Sequence, residues 1–234
     1  MPLQLLLAAD LGKVDKASFS QQTLMELLIQ DITENKDRIS GDDMTDITKW
    51  NGVTLNDDVE VVKISFQWQG LRGPIDLRWL PPTTTDVVLV VNRLSGSIDF
   101  SVLSPSCKVL NLFKNEFSGS IRLECLPPHM ESVNLASNNL EGSLNLEQLP
   151  PTMNEVILGK NAFSGTIDVG SLPDGLEHLC LNSTQLEGET DFSQLPISLG
   201  VLDVSDTNLA GELTMQRGKS FSTDNSNVRE IWRR

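Results

Sequence analysis

The chain has 234 residues, and its 18 Lys and Arg stand against 32 Asp and Glu, which gives a formal net charge of −14 at pH 7. This negative balance argues against nucleic acid and anionic lipid as general partners, because both repel an acidic surface. No apolar run approaches the roughly 20 residues that a membrane-spanning helix needs. The composition therefore favours a protein with neither a nucleic-acid partner nor a membrane span.

The first 60 residues are predicted to form a cap in front of a repeating pattern. Their start, LQLLLAA at positions 3–9, is apolar and has no basic residue before it. We interpret it as a segment packed against the first turn, with a secretory signal or its remnant as the alternative. A helix is predicted over about residues 20–39, because apolar residues recur at three- and four-residue spacing and Gly41 follows. The apolar face of this helix contains Leu24, Leu27, Leu28 and Ile32.

From residue 61 onward one pattern returns every 23 residues. It is marked by Gly73, Gly96, Gly119, Gly142, Gly165, Gly188 and Gly211. Apolar residues stand nine and seven positions before each glycine, as Val133 and Leu135 do before Gly142. Such a period-2 pair predicts a short strand with one face toward a core, and a strict period of this length predicts stacked units. Four positions before the glycine, asparagine fills several units, and a buried amide there can bond the turn backbone of its own and the next unit.

These residues carry a resemblance to a known family. The leucine-rich-repeat consensus, Leu-x-x-Leu-x-Leu-x-x-Asn-x-Leu, is filled by Met130, Val133, Leu135, Asn138 and Leu140. The continuation Phe-Ser-Gly-Ser-Ile at residues 117–121 resembles the Gly-x-Ile subclass of plant receptors, and the closing Leu-Pro-Pro is similar to short-repeat proteins of protozoa. Trp-Asn-Gly-Val-Thr at residues 50–54 resembles the element before the first repeat of plant receptors, although Leu55 stands where a cysteine usually follows.

The resemblance implies a fold and a division of the chain. We expect a mainly β solenoid, a right-handed leucine-rich-repeat horseshoe with a parallel concave sheet, little helix on the convex side and a helical N-terminal cap. Residues 1–60 would form the cap, residues 61–221 seven repeats of 23 residues, and residues 222–234 a C-terminal cap or tail. The family also implies recognition of a protein partner.

No set of side chains for catalysis or metal binding can be argued from spacing. His129 and His178 occupy different parts of their units, and Cys107, Cys125 and Cys180 lack metal-ligand spacing. One glycine per unit serves turns rather than a phosphate-binding loop. We therefore predict a non-enzymatic protein with no catalytic residue, no metal and no cofactor.

The outward face of the predicted strands is the candidate binding surface. Positions ten, eight, six and five residues before each glycine point away from the core, and the stacking of strands about 4.8 Å apart brings equal positions into rows. On the first three strands these positions are apolar with a polar rim, which is typical of surfaces that partners cover. Two alternatives stay open: β-branched residues suit strands in any case, or the cap folds over them. The residues predicted to bind the partner are Trp68, Val88, Val90, Val109, Asn111, Phe113, Lys114, Asn134 and Ile157.

The sequence thus predicts a monomeric scaffold that binds a protein partner through its concave β face. None of the three cysteines falls in a flanking cap, whereas extracellular proteins of this class commonly close their ends with disulfides. This pattern favours an intracellular, cytoplasmic protein, and the sequon at Asn182 is interpreted as unmodified. The alternative is a secreted or cell-surface recognition or adhesion protein of the same fold.

Overall fold

The computed structural model describes residues 16–41 and 44–232. The interpretation of the apolar start at positions 3–9 lies outside these residues. In the described cap, helix α1 spans Gln21–Ile29 and helix α2 spans Asp37–Ser40. The Ser20 side chain caps α1 by accepting the N–H of Thr23 at 3.1 Å. Leu24, Leu27 and Leu28 of the predicted apolar face are buried on α1, whereas Ile32 is buried beyond the end of the helix.

The prediction of one helix over residues 20–39 is wrong, because the chain leaves the helix after Ile29. The N–H of Thr33 donates to the carbonyl of Arg72 at 2.7 Å, and Glu34 forms an isolated antiparallel bridge with the same residue. Asn35 then adopts a left-handed φ of 62°, a conformation that no helix interior allows. Pairing with the first turn of the repeats therefore outweighs the helical pattern of this segment.

The repeats build a β solenoid, as predicted. Over the described residues, one sheet has nine strands and runs along one side of the stack. Its strands are β1 (Val53–Leu55), β2 (Val61–Ser65), β4 (Asp86–Val88), β6 (Val109–Asn111), β8 (Ser132–Asn134), β10 (Glu155–Ile157), β12 (His178–Cys180), β14 (Val201–Asp203) and β16 (Ser220–Ser222). All neighbours are parallel except β1, which pairs antiparallel with β2 and belongs to the cap. We call the outward face of this sheet the concave face.

A second parallel sheet runs along the other side of each turn and was not predicted. Its strands are β3 (Arg72–Pro74), β5 (Arg93–Gly96), β7 (Glu116–Ser120), β9 (Asn139–Gly142), β11 (Ala162–Gly165), β13 (Gln185–Glu189), β15 (Asn208–Met215) and β17 (Asn227–Trp232). From β5 to β15, each of these strands begins just after the asparagine position and runs up to or past the repeat glycine. Short 3-10 turns such as Leu77–Trp79 and Phe100–Val102 follow on the convex side. Little helix was expected there, and this is confirmed.

The core lies between the two sheets and runs the length of the stack. Phe66, Phe117 and Phe163 are fully buried, together with the leucines and valines of the period-2 pairs. Each unit therefore packs on its neighbours rather than around a single centre, as expected of a solenoid.

A ladder of buried asparagines fixes the turns that follow the concave strands. The side-chain amide of Asn138 donates to the carbonyls of Leu135 at 2.9 Å and Leu112 at 3.1 Å, and its Oδ1 accepts the N–H of Phe117 at 3.1 Å. Leu112 and Phe117 belong to the preceding unit, so the predicted bonding to the next unit is wrong in direction. The same pattern is repeated by Asn92, Asn115 and Asn161.

Candidate partner-binding surface

The strand register places the predicted residues on one face. Val88 pairs with Asn111, Asn111 with Asn134, and Asn134 with Ile157, so these four form one row across neighbouring strands. Val109 lies in a parallel row with Asp86 and Ser132. In β4, β6, β8 and β10 the central residue is buried and its neighbours are half-buried, which confirms that the two rows face outward.

The remaining predicted residues lie in the turns that follow the strands. The N–H of Trp68 donates to the carbonyl of Val90 at 2.9 Å, and the N–H of Val91 donates to Phe113 at 2.9 Å. The structure therefore brings together one apolar group on the first three repeat strands and their turns. We call it the N-terminal concave patch: Trp68, Val88, Val90, Val91, Val109 and Phe113. Ile157 lies apart from it, because β6 and β8, which contribute Asn111 and Asn134 to the row, lie between Val88 and Ile157.

Trp68 and Val91 have strained backbones. The residue five positions before the repeat glycine has a left-handed φ in all seven units, between 53° and 60°. Lys114, Ser137 and Asp206 fill this position elsewhere. For a bulky or β-branched residue such a φ is rare and costs of order 1–3 kcal/mol. Trp68 is nevertheless 68% exposed, so burial of its ring does not offset the strain.

Asn111 and Asn134 have a local structural role that the sequence did not indicate. Their Oδ1 atoms accept the N–H groups of Phe113 and Ala136, each at 3.1 Å and two residues ahead. Asp203 does the same for Ser205 at 3.0 Å. An asparagine or aspartate followed two residues later by a turn position is the signal that could have revealed this. In both asparagines the Oδ1 is thus engaged within the turn.

The rim of the N-terminal concave patch is charged. Lys63 and Lys114 are exposed, whereas Asp86 is half-buried and accepts a 2.6 Å hydrogen bond from the Thr85 hydroxyl. In the described cap, β1 extends the sheet sideways, with Thr54 opposite Lys63, and Trp50 is buried.

The C-terminal half of the concave face is more polar. His178 Nδ1 lies 3.4 Å from Glu155 Oε2, and the Ser132 hydroxyl donates to Glu155 Oε1 at 2.7 Å. Burial raises the pKa of Cys180 to about 11, and the carboxylates of Asp203 and Glu155 add to the shift. The thiol beside His178 is therefore protonated at neutral pH and is a poor nucleophile or metal ligand.

Burial also disfavours the reactive thiolate form of Cys107. Burial raises the pKa of Cys107 to about 12, and all three cysteines are free thiols.

Within residues 16–41 and 44–232, no group of three His, Cys, Asp or Glu side chains is placed to hold a metal ion. None of the described helices is long and apolar enough to cross a membrane. Asn182 is half-buried, and its side chain lies against Gly159. A Cβ added at Gly159 would lie 2.2 Å from the Oδ1 of Asn182.

Comparison with solved structures decides the fold. The chain resembles the crystal structure of Pollen Receptor Kinase 3, with a TM-score of 0.62 and 24% identity over 88% of this chain and 95% of that one. It also resembles the leucine-rich-repeat ectodomain of the receptor kinase SOBIR1 from Arabidopsis thaliana, with a TM-score of 0.57 and 21% identity over 82% and 95%. The fold is a leucine-rich-repeat solenoid.

A third similar structure contains a bound ligand. It is the ectodomain of the plant membrane receptor kinase GASSHO1/SCHENGEN3 from Arabidopsis thaliana, in complex with CASPARIAN STRIP INTEGRITY FACTOR 2. The TM-score is 0.64 and the identity 21%, over 91% of this chain and 29% of that one. No protein-family model and no curated protein matches the sequence. At these identities the likeness establishes the leucine-rich-repeat fold of this chain.

Proposed function

We propose that the protein is a non-enzymatic recognition scaffold that binds a protein segment on its N-terminal concave patch. The proposal rests on one observation, that strained backbones and an exposed apolar side chain occur at the same place. Trp68 and Val91 occupy left-handed positions that lysine, serine or aspartate fills in the other units, and both belong to the apolar group. Strain of this kind clusters at functional sites because the surrounding structure must be built to hold it.

The neighbouring groups support the same use of the surface. Trp68 and Phe113 are aromatic anchors of the kind that dominates the energetics of interfaces, while Lys63 and Lys114 supply a polar rim. The asparagine ladder holds the turns that carry Val90 and Phe113, so little ordering of the scaffold is needed on binding. The predicted residues Asn111 and Asn134 would contribute through their side-chain N–H groups, and Ile157 through a separate contact.

The structural neighbours give independent support for recognition as the role of this fold. Two of the three are receptor ectodomains, and one was solved with a bound factor. We propose that this chain also binds a protein partner, as a monomer and without enzymatic activity. We also propose that its 23-residue units are similar to those of short-repeat protozoan proteins, and its Gly-x-Ile sequence to the plant-type subclass.

Two cellular settings follow from different observations. The free cysteines favour an intracellular protein, because no disulfide closes the described caps. The ectodomain neighbours favour a secreted or cell-surface recognition protein. N-terminal sequencing of the mature protein distinguishes them, since a secreted form would have lost its apolar start.

Site-directed photo-crosslinking tests the proposed surface. The crosslinking amino acid p-benzoylphenylalanine replaces Phe113 in one variant and Ser205 in a control. Ser205 occupies the same position in the last unit, six residues before its glycine. We expect one protein to be crosslinked from position 113 and not from position 205. Equal crosslinking from both positions, or none from position 113, would refute the assignment.

A further inference from the structure

The lysines of the concave face have no partner within the described part of the chain. Lys63, Lys114 and Lys160 occupy outward positions of their units, and all three are exposed. Their ammonium groups make no hydrogen bond or ion pair with any described residue. The whole chain carries a formal net charge of −14, yet no described carboxylate pairs with these three cations. They are therefore available to an anionic group of another molecule.

The carboxylates of the same face are already bonded. At the outward positions of the seven units, each carboxylate accepts a hydrogen bond from a neighbouring group of the protein. These are Asp86, Glu155, Asp203 and Asp206, at 2.6, 2.7, 3.0 and 2.8 Å. The charged groups of this face that are left without a partner are therefore cations.

The charges are unevenly distributed along the concave face. The outward positions of the first three units contain Lys63 and Lys114 against one carboxylate, Asp86. Those of the last three units contain one lysine against three carboxylates. Asn111 and Asn134 add donors beside the first group, because only their Oδ1 atoms are bonded within the described chain. The N-terminal concave patch thus lies in the locally positive part of an acidic molecule, which favours a partner segment of negative charge.

The turns place one lysine directly in line with the apolar side chains. Trp68, Val91 and Lys114 fill the same position of successive units, and the N–H of each donates to the next unit at 2.9 Å. They form a row with a spacing of about 4.8 Å that presents an aromatic ring, an aliphatic group and a cation. In an extended segment, side chains on one face recur about every 6.8 Å. An apolar side chain between the first two residues of the row therefore brings its second neighbour to Lys114.

We propose that the segment bound by the N-terminal concave patch is extended and has an aspartate or glutamate within two residues of an apolar side chain. This inference rests on the proposed function, because it names the chemistry of the segment that the patch binds. The apolar side chain packs on Trp68, Val91 and Phe113, and the carboxylate pairs with Lys114. A basic segment would instead bring like charges together, and such contacts are unfavourable.

Selection from short random peptides displayed on phage tests the proposal. The immobilised full-length protein is the bait, and Phe113→Glu identifies the peptides that bind through the patch. We expect the enriched peptides that lose affinity for this variant to share an acidic residue within two residues of an aromatic or aliphatic one.

Calorimetry then measures the charge contact itself. The most enriched of these peptides is compared with a copy in which Asn or Gln replaces each Asp or Glu. Lys114→Gln should weaken the acidic peptide at least threefold and leave the affinity of the amide copy unchanged, because only the acidic peptide loses an ion pair. Lys160→Gln, at the same position two units further along, should leave both affinities unchanged. Thermal unfolding checks that both variants are folded.

The failure of this inference can be distinguished from the failure of the proposed function. Patch-binding peptides without an acidic residue, or equal affinity of the wild type for the acidic and amide peptides, would overturn the inference and leave the proposed function standing. Enriched peptides that bind Phe113→Glu as tightly as the wild type, or no enriched peptide at all, would refute both.

Discussion

At the scale of one residue, Val91 shows how the candidate surface differs from the other units of the solenoid. Its φ of 54° is left-handed, although Val is β-branched and rarely adopts this region. Val91→Asn should raise the free energy of unfolding by about 1 kcal/mol, because asparagine tolerates the conformation. Chemical denaturation measures the change, and Lys114→Asn at the equivalent position is the control with little expected effect. A lower midpoint for Val91→Asn would show that packing of the valine outweighs its strain.

The asparagine ladder makes a second prediction at this scale. Asn138→Ala leaves the carbonyls of Leu112 and Leu135 and the N–H of Phe117 without their partner, and buried groups of this kind cost about 1–3 kcal/mol each. We expect a loss of about 3 kcal/mol in the free energy of unfolding. Thr184 fills the same position in a later unit but donates only to Leu181, at 2.8 Å.

Thr184→Asn should therefore change stability in the opposite direction, with a gain of about 1 kcal/mol from the added hydrogen bonds. Both variants are compared with the wild type by the same denaturation measurement. If the asparagine ladder stabilised the fold only through packing, Asn138→Ala would lower the free energy of unfolding only slightly. Thr184→Asn would then lower it rather than raise it.

At the scale of elements, the cap depends on one close approach between backbones. Gly52 leads into β1 with a φ of 83°, and a Cβ added there would lie 2.1 Å from the carbonyl oxygen of Ser65 in β2. Gly52→Ala should therefore force β1 away from β2 and lower the thermal midpoint strongly. Gly218 has the same φ of 83° but open space around it. Gly218→Ala therefore measures only the cost of placing an alanine at a left-handed φ, about 1 kcal/mol. Equal effects of the two substitutions would mean that the contact with Ser65 does not hold the cap.

The return turns offer a stabilising change. Ile197 is 94% exposed and follows Pro196, in a turn closed by the N–H of Leu199 donating to Pro196 at 3.1 Å. Pro128 and Pro151 occupy the same position in turns closed in the same way. Ile197→Pro should raise stability by about 0.4–1 kcal/mol, because it restricts the unfolded chain and removes no packing. Ile197→Ala is the control without this gain, and a fall in the thermal midpoint of Ile197→Pro would contradict the shared turn geometry.

Sequence patterns predicted some elements and missed others for physical reasons. The period-2 pairs identified the concave strands, since one buried face leaves a clear alternation. The helix prediction for residues 20–39 failed after Ile29, because pairing of Thr33 and Glu34 with Arg72 is a tertiary contact that local spacing does not contain. The second sheet was missed because its residues, as at Ser118 and Ser120, are small and polar on the outer face and resemble a turn.

For the whole molecule, the regular repeat made the fold predictable, because each unit must bury its apolar columns against the next. The location of the candidate surface was also predictable, since equal positions stack into rows. Three features of it required the structure: the left-handed backbones of Trp68 and Val91, the local bonding of Asn111 and Asn134, and the sideways placement of β1. Backbone angles and contacts between units restrict the residue type only weakly, so the sequence does not reveal them.

The central claim is that the N-terminal concave patch holds the protein partner, and affinity measured on matched charge variants tests it most directly. The partner identified by crosslinking is titrated against the wild type, Phe113→Glu and Ser205→Glu, with both variants checked to be folded by circular dichroism. We predict that Phe113→Glu weakens binding at least tenfold, because the partner would have to bury a charge in the apolar patch and would lose the aromatic anchor. Ser205→Glu, at the equivalent position of the last unit, should retain wild-type affinity. Wild-type affinity of a folded Phe113→Glu variant would contradict the account and place the partner on another surface.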